Sequence, residues 1–156
     1  MEREKLAKKI AILKAKGKKI VFTNGVFDLM HVGHVRLLRK AASHGDILVV
    51  GMNSDASVKA IKGPQRPIVQ QQYRAEVLCA LSFVDYVVIF DERTPQETIR
   101  ILKPDIHVKG GDWDTEKLPE TPLVRSYGGK VIIENSQCEI TTTSLIKRIL
   151  EVYPKK

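Results

Sequence analysis

Two imidazoles, His31 and His34, flank Gly33 just after a short apolar run. Residues of these types at this spacing suit a nucleotide phosphate held at a strand-to-helix junction. Lys19-Ile20-Val21-Phe22 reads as a buried parallel strand, and Val35 to Ala42 carries the apolar spacing of a helix. The two histidines therefore sit at the helix entrance, where unpaired backbone N–H groups and the positive end of the helix dipole favour an anion. Each ring adds an N–H donor. Gly33 has no Cβ, so backbone and ligand can approach closely. Histidines spaced this way also bind zinc, but a structural zinc site takes four protein ligands, and Cys79, Cys138, His44 and His107 show no paired ligand spacing.

Further clusters have a similar character. Lys59 and Lys62 are expected in a loop flanked by glycine and proline, with Ile61 to Val69 irregular, able to carry positive charge to a phosphate chain. Lys109-Gly110-Gly111-Asp112-Trp113 places a glycine pair between a cation and an acid, leaving backbone groups accessible to a nucleobase edge. Thr141, Thr142 and Thr143 gather hydroxyls at a predicted helix start. A plain N-cap uses only one of them, so the cluster points to an anion site.

The elements that must position these residues follow from periodicity and punctuation. Strands are expected at 46–52, 86–90, 106–109 and 130–134, and helices at 70–82, 119–127 and 142–152. Another helix is expected from Thr94-Pro95 to Leu102, with Thr94 as N-cap and Pro95 in the first turn. Asn53-Ser54-Asp55 reads as a loop or a helix cap. Strands alternating with helices imply an α/β, doubly wound parallel sheet, in which ligands bind outside the carboxyl ends of the strands. Every polar cluster above falls at such an end or at the start of the helix that follows it.

The 156 residues, 43% hydrophobic, fit one domain with a core that needs no disulfide. Cys79 and Cys138 are expected to be reduced thiols of a cytoplasmic protein. No apolar run is long enough to span a bilayer, and no secretory leader is recognisable, so no membrane association is expected. The net charge of +8 is lopsided: residues 1–19 hold eight Lys/Arg against Glu2 and Glu4, leaving 18 basic and 16 acidic residues in the remainder. With Leu6, Ile10 and Leu13 in helical spacing, residues 1–17 read as a basic amphipathic helix docked onto a domain spanning 18–156. The balanced remainder argues against nucleic acid as a partner.

Taken in order, GVFDLMHVGH, NSDASVKAIKG, YRAEVL, VKGGDW and ITTTSLI resemble the adenylyltransferase domain of bacterial ADP-heptose synthases over residues 18–150. The first of these carries the HxGH signature of cytidylyltransferase-like nucleotidyltransferases. Glycerol-3-phosphate cytidylyltransferase and archaeal-type FAD synthase are the nearest alternatives. VKGGDW and the Lys-Gly-Pro-Gln-Arg-Pro loop favour the heptose family, and Asn135 to Glu139 lacks the arginine that the cytidylyltransferase carries there.

The resemblance implies a Rossmann-like nucleotidyltransferase fold and transfer of AMP from ATP to a sugar 1-phosphate, D-glycero-β-D-manno-heptose 1-phosphate, for lipopolysaccharide core synthesis. It implies His31, His34 and Lys62, with Lys59 as second choice, as catalytic residues. Val26, Phe27, Gly33, Arg74, Gly110, Gly111, Thr142 and Thr143 would bind the nucleotide, and Asp28, Asp112 and Trp113 the acceptor. Mg²⁺ would enter on the ATP phosphates without a dedicated protein site. A homodimer is implied, and the short leader before the first strand leads us to expect a separate sugar kinase. The non-catalytic alternative is a nucleotide-sensing module, which would bind ATP without releasing pyrophosphate.

Overall fold

Successive residues of the central strand are buried on alternate faces of the sheet. In β1 (Ile20–Gly25), Ile20 and Phe22 enter one apolar cluster and Val21 the opposite one. A strand buried on both faces belongs inside a sheet covered on both sides. The computed structural model describes residues 2–135 and 138–154. Ser136 and Gln137 of the Asn135–Glu139 stretch, and the ends of the 1–17 and 18–156 segments at Met1, Lys155 and Lys156, lie outside the described residues.

With β2 (Ile47–Asn53), β3 (Tyr86–Phe90), β4 (Ile106–Gly110) and β5 (Lys130–Glu134), β1 forms a five-stranded, all-parallel sheet in the order β3-β2-β1-β4-β5. α1 (Arg3–Ala15), α5 (Gln96–Leu102) and α6 (Thr121–Ser126) cover one face through Leu6, Ile10, Ile99, Leu102 and Val124. α2 (Val32–Ala42) and α4 (Gln71–Cys79) cover the other through Leu38, Ala41 and Leu78. The fold is the doubly wound α/β sheet expected from the sequence. α1 buries Leu6 and Ile10 in the same cluster as Phe22, and ion pairs from Arg3 to Glu92 (2.6 Å) and Lys14 to Asp105 (2.9 Å) tie down its ends.

Two elements depart from the sequence reading. Residues Asp55–Lys62 form a helix, α3, whose N-cap Ser54 accepts a hydrogen bond from Ser57 N. At eight residues it is short, with Val58 its buried apolar anchor, and it runs straight into Gly63-Pro64, which reads as loop. Lys59 and Lys62 are thus helical and not in a loop. α5 begins after Pro95, which occupies the N-cap position with no side-chain cap, one residue later than the Thr94 cap anticipated.

β1 lies between β2 and β4, so the winding direction reverses between β1 and β4. That reversal opens a crevice at their carboxyl ends, by Gly25 and Gly110. Below it, on β4, His107 has no exposed surface. It packs near the Phe22 ring (5.7 Å between centroids) and places Nε2 3.3 Å from Asn24 Oδ1.

Burial, helped by the nearby charge of Lys109, lowers the His107 pKa from 6.5 to about 3. The unfolded chain therefore takes up a proton that the folded chain refuses between those values. Stability is full above pH 6.5 and falls as the pH drops toward 3. Urea midpoints measured across this range should decline with acid, and His107→Leu should flatten the decline; an unchanged slope in that variant would contradict a neutral buried imidazole.

Candidate active site

α2 begins at His31, which is its N-cap. His31 Nδ1 accepts a hydrogen bond from Gly33 N at 3.2 Å. Because Nδ1 is the acceptor, the neutral ring carries its proton on Nε2, and that N–H is the donor it can offer a ligand. His34 stands one turn along, with ring centroids 3.8 Å apart, and the Phe27 ring meets it edge-on at 5.3 Å. Phe27 adopts φ +50°, which turns the chain sharply between β1 and α2. Burial lowers the pKa of both histidines, and for His34 burial together with His31 brings it to about 4. Both are neutral donors at neutral pH. A Cβ on Gly33 would lie 3.0 Å from the His31 ring and from Cys138 Sγ, so the absent side chain makes room for protein groups as well as for a ligand.

A cleft of about 310 Å³ opens above β1 and β4, lined by Asn24, Phe27, His31, His34, Gly110 and Thr141 among others. A second, of about 280 Å³, brings His34 together with Lys62, Arg66, Thr142 and Thr143. A third, of about 530 Å³, is bordered by Lys62, Arg93, Lys109, Trp113 and Glu120. Val26 lines all three, which makes them compartments of one groove. The start of α2 and the start of α7 (Thr142–Val152) both open onto it, and neither has an acidic residue in its first turn. Two helix N-termini facing one groove make a ready site for a phosphate chain.

Within the threonine run the roles divide. Thr141 is the N-cap of α7 and shares a capping box with Ser144, whereas Thr142 and Thr143 line the phosphate-sized cleft. Of the two lysines, Lys62 borders two clefts from the end of α3, and Lys59 borders none of the three.

Several predicted site residues are engaged inside the protein. Asp28 is 3% exposed, and its carboxylate accepts hydrogen bonds from Arg66 Nε (2.6 Å), Ile68 N (2.9 Å) and Val69 N (2.8 Å). Burial alone would raise its pKa, but the two amides and the guanidinium hold the carboxyl below its usual range. Arg74 is 1% exposed and gives its donors to Val69 O, Val26 O, Asn53 O and Asp55 Oδ1. The direct nucleotide contact expected of Arg74 is thus replaced by contacts to the backbone that shapes the groove.

Of the glycine pair, Gly110 borders the first and third clefts, and its carbonyl accepts from Trp113 Nε1 with one lone pair to spare, whereas Gly111 N is engaged by Glu134 O. Gly111 has φ +110°, a conformation that disfavours any side chain. Asp112 pairs with Asn135 and borders none of the three clefts, while the half-exposed Trp113 ring borders the third.

Sequence reasoning missed Arg66, Arg93 and Glu120. Arg66 was visible only as a cation between prolines; Arg93 and Glu120 belong to no local motif and arrive through the ends of β3 and the start of α6. Lys109 lies 3.4 Å from Glu120. Among the described residues, no three His, Cys, Asp or Glu side chains group as metal ligands. Nor is any helix among them long and apolar enough to cross a membrane.

The cytidylyltransferase-like family model matches residues 22–149. The bifunctional protein HldE of Syntrophotalea carbinolica is 52% identical over 151 residues, covering 97% of this chain and 31% of that protein. HldE of Geobacter metallireducens is 54% identical over 140 residues, covering 90% of this chain and 29% of that protein. The chain spans under a third of the length of these relatives, whose two functions share one polypeptide, in contrast to the separate kinase expected above. Among solved structures, the lipopolysaccharide core biosynthesis protein from Thermoplasma volcanium GSS1 is 32% identical with a TM-score of 0.61, covering 75% of this chain and 94% of that one. A pantoate-beta-alanine ligase from Francisella tularensis, 17% identical with a TM-score of 0.54 over 96% of this chain and 78% of that one, shares the fold.

The bonding of Asp28 makes a stability test decisive. Asp28→Ala leaves two amides and a guanidinium without their acceptor, which should cost about 3 kcal/mol in urea unfolding. Unchanged stability with weakened acceptor binding would instead make Asp28 a substrate ligand.

Proposed function

We propose that this chain, which belongs to the cytidylyltransferase-like family, transfers the AMP moiety of ATP to a sugar 1-phosphate, D-glycero-β-D-manno-heptose 1-phosphate. The products are ADP-heptose and pyrophosphate. The observation that carries this reading is the convergence of His34, Lys62, Thr142 and Thr143 on one cleft between two helix N-termini. The names of the relatives, which refer to HldE and to lipopolysaccharide core biosynthesis, support the sugar acceptor.

The acceptor needs no activating base, because a phosphate monoester with a second pKa of about 6 is already mostly dianionic at neutral pH. The chain's task is alignment and charge stabilisation. As an acceptor oxygen attacks the α-phosphorus in line, negative charge moves toward the departing β,γ-phosphates. His31 and His34 donate Nε2–H groups there, and Thr142 and Thr143 hold the same phosphates with the first amides of α7. Lys62 borders both the phosphate cleft and the third cleft, so it meets the nucleotide and the acceptor together. In the third cleft Arg93 and Lys109 supply charge for the acceptor phosphate, while Trp113 and Glu120 offer a ring face and a carboxylate to sugar hydroxyls.

Mg²⁺ would enter on the ATP phosphates and would supply further charge neutralisation there. The residues present fit that mode of entry: Asp28, the carboxylate bordering the phosphate cleft, has its oxygens occupied by Arg66, Ile68 and Val69. A cytoplasmic homodimer, the state that the family resemblance implies, is part of the same proposal.

A matrix of nucleoside triphosphates against phosphorylated acceptors, read by pyrophosphate release, tests the assignment. ATP with heptose 1-phosphate should give the highest turnover; CTP with glycerol 3-phosphate, or ATP with FMN, would move the chain to a different family branch. ATP binding with no release for any acceptor would make it a sensor. His34→Ala should lower turnover by about 10²–10³, the cost typical of losing one preorganised donor, with its melting temperature retained. Lys62→Ala should depress kcat more than ATP affinity, measured by calorimetry; an effect confined to Lys59→Ala would transfer that role.

A further inference from the structure

His107 is a buried polar side chain that the reaction above does not use. Its Nδ1 is buried without a hydrogen-bond partner, and its one polar tie is from Nε2 to Asn24 Oδ1 at 3.3 Å. A neutral imidazole carries one proton. On Nδ1 that proton would be a buried N–H without an acceptor, and the Nε2 lone pair would face an oxygen. On Nε2 it is donated to Asn24, and only a lone pair goes unmet. The second tautomer is favoured, since the first both orphans a buried donor and sets a lone pair against an oxygen.

This tautomer fixes the direction of a second side chain. With Oδ1 held by His107, the Nδ2 end of the Asn24 amide turns away from the core. Asn24 is half-buried and borders both the cleft that holds His31 and His34 and the cleft that holds Lys62 and Arg93. With the nucleoside in the first of these clefts and the acceptor in the other, a group shared by both stands near the place where an acceptor oxygen meets the α-phosphorus. The opposite amide rotamer would present a carbonyl oxygen to an anion.

We propose that His107 is a positioning residue that holds the Asn24 amide with its N–H₂ end at the junction of the nucleotide and acceptor clefts, where Asn24 donates a hydrogen bond to the phosphoryl group in transfer. The target of the donor rests on the adenylyl-transfer reading; the orientation of the amide does not.

The test combines spectroscopy with a mutant cycle in the full chain. Long-range ¹H–¹⁵N NMR of the histidines should show His107 as the Nε2–H tautomer, and the Asn24 side-chain NH₂ resonance should shift when α,β-methylene-ATP is added. An Nδ1–H tautomer, or an unmoved Asn24 resonance, would overturn the proposal. Asn24→Ala should lower kcat by about 10², in the range of a lost transition-state donor, and His107→Leu by at least tenfold with KM for ATP little changed. In the Asn24→Ala background His107→Leu should add less than about twofold, whereas full additivity would show that His107 does not act through Asn24. His107→Gln keeps an N–H near the same place and should restore most of the rate; a loss equal to that of His107→Leu at unchanged melting temperature counts against the proposal. If the leucine variant does not fold, the tautomer and the glutamine variant decide. If the unmodified chain releases no pyrophosphate with any acceptor, the adenylyl-transfer reading fails, while the NMR measurements still decide the orientation.

Discussion

A guanidinium without exposed surface is sustainable only when its N–H groups meet acceptors, because an unpaired buried charge costs several kcal/mol. Arg74 meets this condition by reaching four places at once: Val69 before α4, Val26 after β1, Asn53 at the end of β2 and Asp55 at the start of α3. Its planar fork allows little freedom in where those acceptors lie. The carboxyl ends of two neighbouring strands and the helix that carries Lys62 are therefore fixed relative to one another. Val26, held in this way, is also the residue common to all three compartments of the groove.

Asp28 is the negative counterpart. It sits between the strand end and the histidines, where a free carboxylate would repel a phosphate chain. Arg66 neutralises it, and the amides of Ile68 and Val69 occupy its remaining lone pairs. The same bonds draw the 66–69 segment against the groove, so a residue that would oppose anion binding becomes the anchor of a wall. Arg74 then accepts that wall's position through Val69 O. The two buried charges form one scaffold, and the phosphate cleft is left with cations, neutral donors and the N-terminus of α7.

What the sequence disclosed and what it concealed divide along physical lines. Strands announced themselves through apolar runs, since a strand buried on both faces has almost no choice of residue. The start of α2 was legible because His31, Gly33 and His34 act through local backbone geometry. α3 was hidden because it is short and the Gly63-Pro64 that follows made the whole segment look like loop. Arg74 and Asp28 looked like ligand contacts because polar residues near a binding motif invite that reading. Their acceptors and donors lie far away in sequence, and only the folded chain brings them together. Arg93 and Glu120 were invisible for the same reason: the end of β3 and the start of α6, far apart in sequence, carry them to the groove, and no local pattern marks them.

The state of the histidines completes the picture. Charged imidazolium rings would bind a triphosphate tightly before any reaction, and binding that is equal in ground and transition states does not raise kcat. Burial keeps His31 and His34 neutral, so each offers a directed N–H whose hydrogen bond strengthens as negative charge accumulates on the departing phosphates. The N-cap bond from Gly33 fixes which nitrogen of His31 carries the proton, and protonating Nδ1 would cost α2 its cap. Helix capping and donor orientation are therefore one requirement here, and an imidazole at position 31 satisfies both where serine or aspartate would cap the helix yet leave the groove without that donor.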